Sequence, residues 1–178
     1  MLKLLIVEDE PGLAAILKQM VELNPRYAVT AIADDLATSL AAADAERPDL
    51  ALIDLQLARS TSGFSVAAKL HDRGIPCLFV TGSAPSFPLP DLALGCLAKP
   101  FREDDLVRAL AEAEDIVRGR DKVVLRCSLP PQLELYGPRT APRPRAEWVP
   151  TVRRRTSWRG RLLKLFRRPA SFRSAVGP

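Results

Sequence analysis

The sequence predicts an α/β fold, with helices covering both faces of a five-stranded parallel sheet. Short apolar runs recur through residues 1–121, and stretches with apolar residues at three- and four-residue spacing alternate with them. The connections are short, which favours right-handed crossovers between neighbouring parallel strands. Polar residues directly follow several of the apolar runs. In open sheets of this kind, ligands bind at the carboxyl ends of the strands.

The strands are predicted from the apolar runs and from the residues that end them. The first run, Leu4 to Val7, has no helical periodicity and is typical of a strand buried on both faces. A later run, LALID, ends in Asp54. The predicted strands cover residues 2–7, 27–33, 50–54, 76–80 and 94–98.

The helices are predicted from amphipathic spacing and from capping residues. Residues 12–23 carry one apolar stripe, and Asn24-Pro25 ends that helix. Asp34 or Asp35 is expected to cap the second helix, which ends near Glu46. The remaining helices are predicted at residues 62–73 and 102–119.

The segment between the fourth and fifth strands does not favour a complete helix. Pro85, Pro88 and Pro90 fall within it, and proline removes a backbone donor and blocks helix interiors. We therefore expect a degenerate fourth helix, either a loop or a single turn.

The charge distribution divides the chain into two domains. Residues 1–121 hold 12 Lys and Arg against 19 Asp and Glu, a net charge of −7, whereas residues 122–178 hold 14 against 2, a net charge of +12. Composition therefore predicts an acidic folded domain over residues 1–121, followed by a basic, proline-rich extension. No apolar run reaches the ~20 residues of a membrane-spanning helix, and Glu8 interrupts the apolar start. We expect a cytoplasmic protein whose three scattered cysteines are reduced.

Five polar side chains at predicted strand ends form the candidate site: Glu8, Asp9, Asp54, Thr81 and Lys99. Two carboxylates about 4 Å apart repel by ~4 kcal/mol at an effective dielectric of 20. We therefore expect a cation to bind among these carboxylates. Magnesium prefers oxygen ligands and is usually held by one or two carboxylates together with phosphate oxygens. A carboxylate can also act as a nucleophile and form an aspartyl phosphate. The hydroxyl and the ammonium group suit the oxygens of a phosphoryl group.

Four motifs, IVEDE, PDLALIDLQL, LFVTG and CLAKPF, resemble in order and spacing the receiver domain of bacterial two-component response regulators. The resemblance covers about residues 2–118 and implies a flavodoxin-like fold. It implies that Asp54 is the phosphoacceptor and that Mg²⁺ is held by Glu8, Asp9, Asp54 and the backbone carbonyl of Gln56. Thr81 and Lys99 would contact the phosphoryl group, and the Lys99–Pro100 bond would be cis. The phosphoryl donor would be a sensor histidine kinase or a histidine phosphotransfer protein.

The sequence departs from the family pattern at several positions. Leu57 and Ala58 replace the usual Met-Pro, and Gly63 comes one residue late, which indicates an insertion in this loop. Cys96 stands where the family has a switch aromatic. We therefore expect the phosphorylation chemistry to be intact. We do not expect the usual switching route, nor the usual output face around the fourth helix, to be preserved.

The extension, residues 122–178, is expected to be largely irregular. Residues 123–125 could add a short strand, and residues 130–150 are a poor candidate for a packed core. An amphipathic helix is possible near residues 157–168, where apolar residues alternate with arginines. Such a segment could contact an acidic partner (including the acidic domain itself), a membrane surface or nucleic acid, although no module for sequence-specific DNA binding is visible.

Three functions are compatible with these features. The leading one is a response regulator receiver that switches a protein–protein interface and is not a dedicated enzyme. The second is an adaptor whose basic tail binds an anionic surface or nucleic acid under control of the receiver. The third is an aspartate-nucleophile phosphohydrolase, which usually has a second aspartate two residues after the nucleophile. Gln56 occupies that position here and favours the receiver.

Overall fold

The computed structural model describes residues 1–57, 62–120 and 129–136. Ten elements follow in chain order: β1 Leu2–Val7, α1 Pro11–Glu22, β2 Tyr27–Ala33, α2 Leu36–Ala45, β3 Leu50–Ile53, α3 Gly63–Asp72, β4 Cys77–Thr81, β5 Gly95–Ala98, α4 Glu103–Val117 and β6 Leu133–Leu135. The first five strands are parallel, and the sheet order is β2-β1-β3-β4-β5-β6. The predicted doubly wound parallel sheet is confirmed.

Alternating side chains of the strands form two cores, one on each face of the sheet. Leu4 and Ile6 of β1 pack with residues of α1 and α4. Leu5 and Val7 point the other way and pack with residues of α2 and α3. This alternation is why the central strands are apolar along their whole length.

Local signals set the limits of the helices. Pro11 occupies the first turn of α1, where its missing N–H costs nothing. Asp35 caps α2 by accepting a hydrogen bond from the Thr38 N–H at 2.7 Å, so the second of the two predicted caps is the one used. Gly74, with φ of 69°, follows α3 in the left-handed conformation that favours glycine.

No helix joins β4 to β5, as the prolines of this segment predicted. Residues 82–94 form turns and bends, with Leu89 accepting backbone hydrogen bonds from Leu92 and Ala93 in a single turn. The side chain of Phe87 in this loop is 65% exposed.

The sixth strand was not predicted. Residues 133–135, which we placed in an irregular extension, pair antiparallel with β5, and Leu133 and Tyr136 are buried in the two cores. The expectation that residues 130–150 lack core positions is therefore wrong for this segment. Leu133, Leu135 and Tyr136 are three apolar residues inside a proline-rich, polar stretch, too short a pattern to indicate a strand.

Several predictions concern residues outside the described ranges. They include the possible strand at residues 123–125, the possible helix near residues 157–168, and the contacts of the basic tail. Of the described helices, none has both the length and the apolar character needed to cross a membrane.

Candidate functional site

The candidate site lies at the carboxyl ends of β1, β3, β4 and β5. Glu8 and Asp9 follow β1, Asp54 follows β3, and Lys99 follows β5, while Thr81 is the last residue of β4. The adjacent parallel strands β1, β3, β4 and β5 bring these residues to one edge of the sheet.

Lys99 joins the two buried carboxylates of the site. Its Nζ donates to Asp54 Oδ2 at 2.7 Å and to Glu8 Oε2 at 2.8 Å. Glu8 is 5% exposed and Asp54 8% exposed, so water screens this charge cluster weakly. The lysine is positioned from β4, because its backbone N–H donates to the Thr81 carbonyl at 2.8 Å.

The surroundings of Asp54 keep it ionised. Burial alone would raise the pKa of Asp54, but hydrogen bonds from the Lys99 ammonium and the Gln56 backbone N–H outweigh burial and lower it. The Gln56 N–H donates to Oδ1 at 2.9 Å, and a hydrogen bond from the Thr81 hydroxyl lowers the pKa further. An ionised carboxylate is the form that can act as a nucleophile.

Glu8 responds in the opposite direction although it shares the same lysine. Burial raises the pKa of Glu8, and repulsion by Asp54 adds to this effect, while hydrogen bonding to Lys99 only partly opposes it. The pKa of Lys99 is raised, because its hydrogen bonds to Asp54 and Glu8 outweigh the lowering caused by burial. The Lys99 ammonium group therefore contacts two carboxylates whose pKa values are shifted in opposite directions, Glu8 upward and Asp54 downward.

A glycine is needed beside the candidate phosphoacceptor. A Cβ on Gly63 would lie 2.1 Å from the Asp54 backbone oxygen and 2.6 Å from Leu55 Cα. The Gly63 N–H donates to the Leu55 carbonyl at 3.2 Å, so the start of α3 rests directly on the loop that follows β3. The late glycine of the sequence is thus the position where α3 contacts this loop.

The donor set suits a hard divalent cation. Glu8 and Asp54 already converge on one positive charge, half-buried Asp9 adjoins Glu8, and the Gln56 backbone contacts Asp54. Among the described residues, no three His, Cys, Asp or Glu side chains form a group able to hold a metal ion by themselves. Magnesium prefers oxygen ligands and completes its shell with water and phosphate oxygens.

Position 96, where the family pattern has an aromatic residue, holds a buried cysteine that pairs with Phe79 of β4 and with Glu134 of β6. The Tyr136 ring, just beyond β6, lies 6.5 Å from the Phe79 ring between centroids. Sequence reasoning missed Tyr136 because its partners, Phe79 and Cys96, are far away along the chain.

Comparison with known proteins identifies the family. The model of the response regulator receiver domain matches residues 4–111. The chain belongs to this family. The Lys99–Pro100 bond is cis, as the resemblance implied.

Relatives of the receiver include both regulators and an enzyme. The chain is 29% identical over 113 residues to the sensory transduction protein LytT of Enterococcus faecalis, covering 61% of this chain and 46% of LytT. It is 30% identical over 169 residues to a protein-glutamate methylesterase/protein-glutamine glutaminase of Cereibacter sphaeroides, covering 84% of this chain and 46% of that protein. This chain therefore spans about half the length of the curated relatives it matches.

A solved receiver domain shares the fold. The CheY-like response regulator receiver domain protein of Methanospirillum hungatei is 28% identical, with a TM-score of 0.60, over 68% of this chain and 99% of that one. The match covers nearly the whole of that receiver domain.

Proposed function

We propose that this receiver accepts a phosphoryl group on Asp54 from a histidine kinase or a histidine phosphotransfer protein. The observation that carries the proposal is the buried Asp54 carboxylate, whose two oxygens accept hydrogen bonds from Lys99 and from the Gln56 backbone. Its lowered pKa keeps the nucleophile ionised near neutral pH.

The transfer step exchanges one bond to phosphorus for another. A carboxylate oxygen of Asp54 attacks phosphorus, the P–N bond to the donor histidine breaks, and the bonding electron pair leaves with the imidazole nitrogen. Catalysis of phosphoryl transfer is mostly positioning and charge neutralisation. Lys99 and the Thr81 hydroxyl supply a cation and a donor at the place where phosphoryl oxygens arrive.

Mg²⁺ is the proposed cofactor, held by Glu8, Asp9, Asp54 and the Gln56 backbone carbonyl. When bound, it neutralises the carboxylates and the phosphoryl oxygens as charge builds up. Lys99 offsets only part of the negative charge of Glu8 and Asp54, since one ammonium group faces two carboxylates, and the remaining negative charge favours a divalent cation.

An acylphosphate at Asp54 would then change a protein–protein interface, since added charge and acceptor oxygens shift a two-state equilibrium. Gln56 stands two residues after the nucleophile, where a phosphohydrolase would place its general acid, and this favours an acceptor over a dedicated hydrolase.

The test is mass spectrometry of the intact chain after incubation with acetyl phosphate and magnesium. The wild type should gain the mass of one phosphoryl group, and Asp54→Asn should gain none. The matched control is Asp91→Asn, an exposed aspartate in the β4–β5 loop, which should be modified like the wild type. Labelling that survives in Asp54→Asn would refute the assignment.

A further inference from the structure

Backbone hydrogen bonds join β6 and its flanking residues to β5, the strand that precedes Lys99 of the candidate site. The Ala98 N–H donates to the Gln132 carbonyl at 2.9 Å, and Ala98 is the residue directly before Lys99. At the other end of the segment, the Tyr136 N–H donates to the Leu94 carbonyl at 2.8 Å. Residues 129–136 therefore hold both ends of β5, the strand that positions Lys99.

A row of aromatic rings forms a second connection between β6 and the site. Tyr136 contacts Phe79 edge-on at 6.5 Å, and Phe79 contacts Phe64 edge-on at 5.8 Å. Phe79 lies two residues before Thr81, and Phe64 follows Gly63, which rests on the Asp54 backbone. Contiguous packing of this kind can transmit a rearrangement, provided that one element has two arrangements.

The strand β6 has the features of an element that detaches easily. It has three residues and forms the edge of the sheet, where local opening costs least. The Tyr136 hydroxyl and Gln132 Oε1 are both buried without a hydrogen-bond partner. The Cys96 thiol lies close enough to the hydroxyl to affect its pKa, but a thiol is a weak hydrogen-bonding group. Detachment would return both polar groups to water, which offsets part of the lost packing.

Gly95 makes close docking of β6 possible. A Cβ at Gly95 would lie 2.3 Å from the Glu134 backbone oxygen and 3.1 Å from Leu135 Cα. A side chain at this position would therefore push against the β6 backbone. This gives a way to release β6 without changing a residue of β6 or of the site.

We propose that residues 129–136 are a detachable strap through which phosphorylation reaches the extension: the acylphosphate at Asp54 releases β6 from the β5 edge. This inference rests on the proposed function. The phosphoryl group offers three strong acceptor oxygens, which draw Thr81 and Lys99 away from their present partners. Thr81 ends β4, which contacts the strap through Phe79, and Lys99 follows β5, which contacts it through Ala98. The strap detaches because β6 is a three-residue strand at the edge of the sheet.

The experiment is hydrogen–deuterium exchange with mass spectrometry on the full chain, with and without acetyl phosphate and magnesium, with intact mass recorded in parallel. Phosphorylation should speed exchange in residues 129–136 by about tenfold or more, as for local unfolding of an edge element. Exchange in residues 50–53, the central strand β3, should stay unchanged. Added mass without faster exchange in the strap would overturn this inference and leave the proposed function standing. Absence of the added mass would overturn both.

Three variants serve as references for the measurement. Gly95→Ala should give the fast-exchanging strap without any phosphoryl group, whereas Gly82→Ala, where a Cβ meets nothing within 4 Å, should exchange like the wild type. Tyr136→Phe should slow exchange of the strap about fivefold, because it removes a buried hydroxyl whose neighbour, the Cys96 thiol, is a weak hydrogen-bonding group. Wild-type protection of residues 129–136 in Gly95→Ala, or faster exchange in Tyr136→Phe, would contradict the proposal.

Discussion

Lys99 and Asp54 form a partly buried ion pair, with Nζ 2.7 Å from Oδ2, and the same ammonium group lies 2.8 Å from Glu8 Oε2. These two carboxylates lie close enough to share one cation. Either the lysine or a divalent ion can relieve the repulsion between these carboxylates. Experiments that remove the lysine or add the ion can measure the two effects separately.

Removing the lysine should destabilise the receiver in a pH-dependent way. Lys99→Met leaves two buried carboxylates without their shared cation and should cost about 3 kcal/mol of unfolding free energy at pH 7. Burial and mutual repulsion then raise both carboxyl pKa values in the folded state above those in the unfolded state. The penalty is therefore largest at neutral pH and shrinks as the pH falls and the carboxyl groups bind protons.

Urea unfolding at pH 7 and pH 5 measures this effect. Lys69→Met is the matched control, since Lys69 forms an exposed pair with Asp72 at 3.5 Å that should contribute less than about 1 kcal/mol. An equal loss for Lys99→Met at both pH values would contradict the shared-cation explanation.

Magnesium should stabilise the wild-type receiver by binding the folded state. At a magnesium concentration a hundredfold above Kd, linkage gives about 2.7 kcal/mol, and thermal unfolding should show a higher Tm. Asp9→Ala should reduce the increase, while Asp91→Ala, on the exposed β4–β5 loop, should keep it. A wild-type Tm that does not respond to magnesium would argue against the metal site.

Gly63 should tolerate no side chain. In Gly63→Ala the new Cβ would lie 2.1 Å from the Asp54 backbone oxygen, so either α3 or the phosphoacceptor loop must move. We expect a loss of about 2 kcal/mol or more in unfolding free energy, together with slower labelling by acetyl phosphate. Gly82→Ala, which has open space around its Cβ, should match the wild type in both measurements. Wild-type stability and labelling of Gly63→Ala would show that the loop adapts freely.

The sequence was sufficient to predict the sheet and the convergence of its strand ends. Each apolar run predicts a strand, and a polar residue after or at its end, such as Asp54 or Thr81, marks the carboxyl end of that strand. Because neighbouring parallel strands place their carboxyl ends at one edge of the sheet, the same runs also predict that these residues converge. Tyr136 could not be predicted in the same way. Its burial depends on a long-range pairing with β5 and on the glycine at position 95, and its own segment alternates apolar and polar residues only from Leu133 to Leu135. Likewise, the sequence suggested Lys99 as a phosphoryl contact, but the fact that it joins Glu8 to Asp54 depends on distances between strands.

Glu114 should make the stability of the receiver sensitive to acid. It is 3% exposed and forms ion pairs with Arg26 at 2.6 Å, Arg118 at 2.8 Å and Arg120 at 3.1 Å. Burial alone would raise its pKa, but the hydrogen bond from Arg26 and the charges of the three arginines lower it. A lowered carboxyl pKa contributes stability that is present above the unfolded-state value near 4.3 and is lost as the pH falls through the folded-state pKa.

The test compares Glu114→Gln with the wild type by urea unfolding from pH 7 to pH 3. At pH 7 the variant should lose about 2 kcal/mol, as expected when charge-assisted hydrogen bonds are removed from a buried acceptor. The difference should narrow below pH 4, because the wild-type carboxylate then binds a proton and loses its advantage. Glu46→Gln, which breaks an exposed pair with Lys3 at 2.6 Å, should change stability by less than about 1 kcal/mol at any pH. A Glu114→Gln penalty of constant size across this range would mean that packing, and not charge, accounts for the contribution of Glu114.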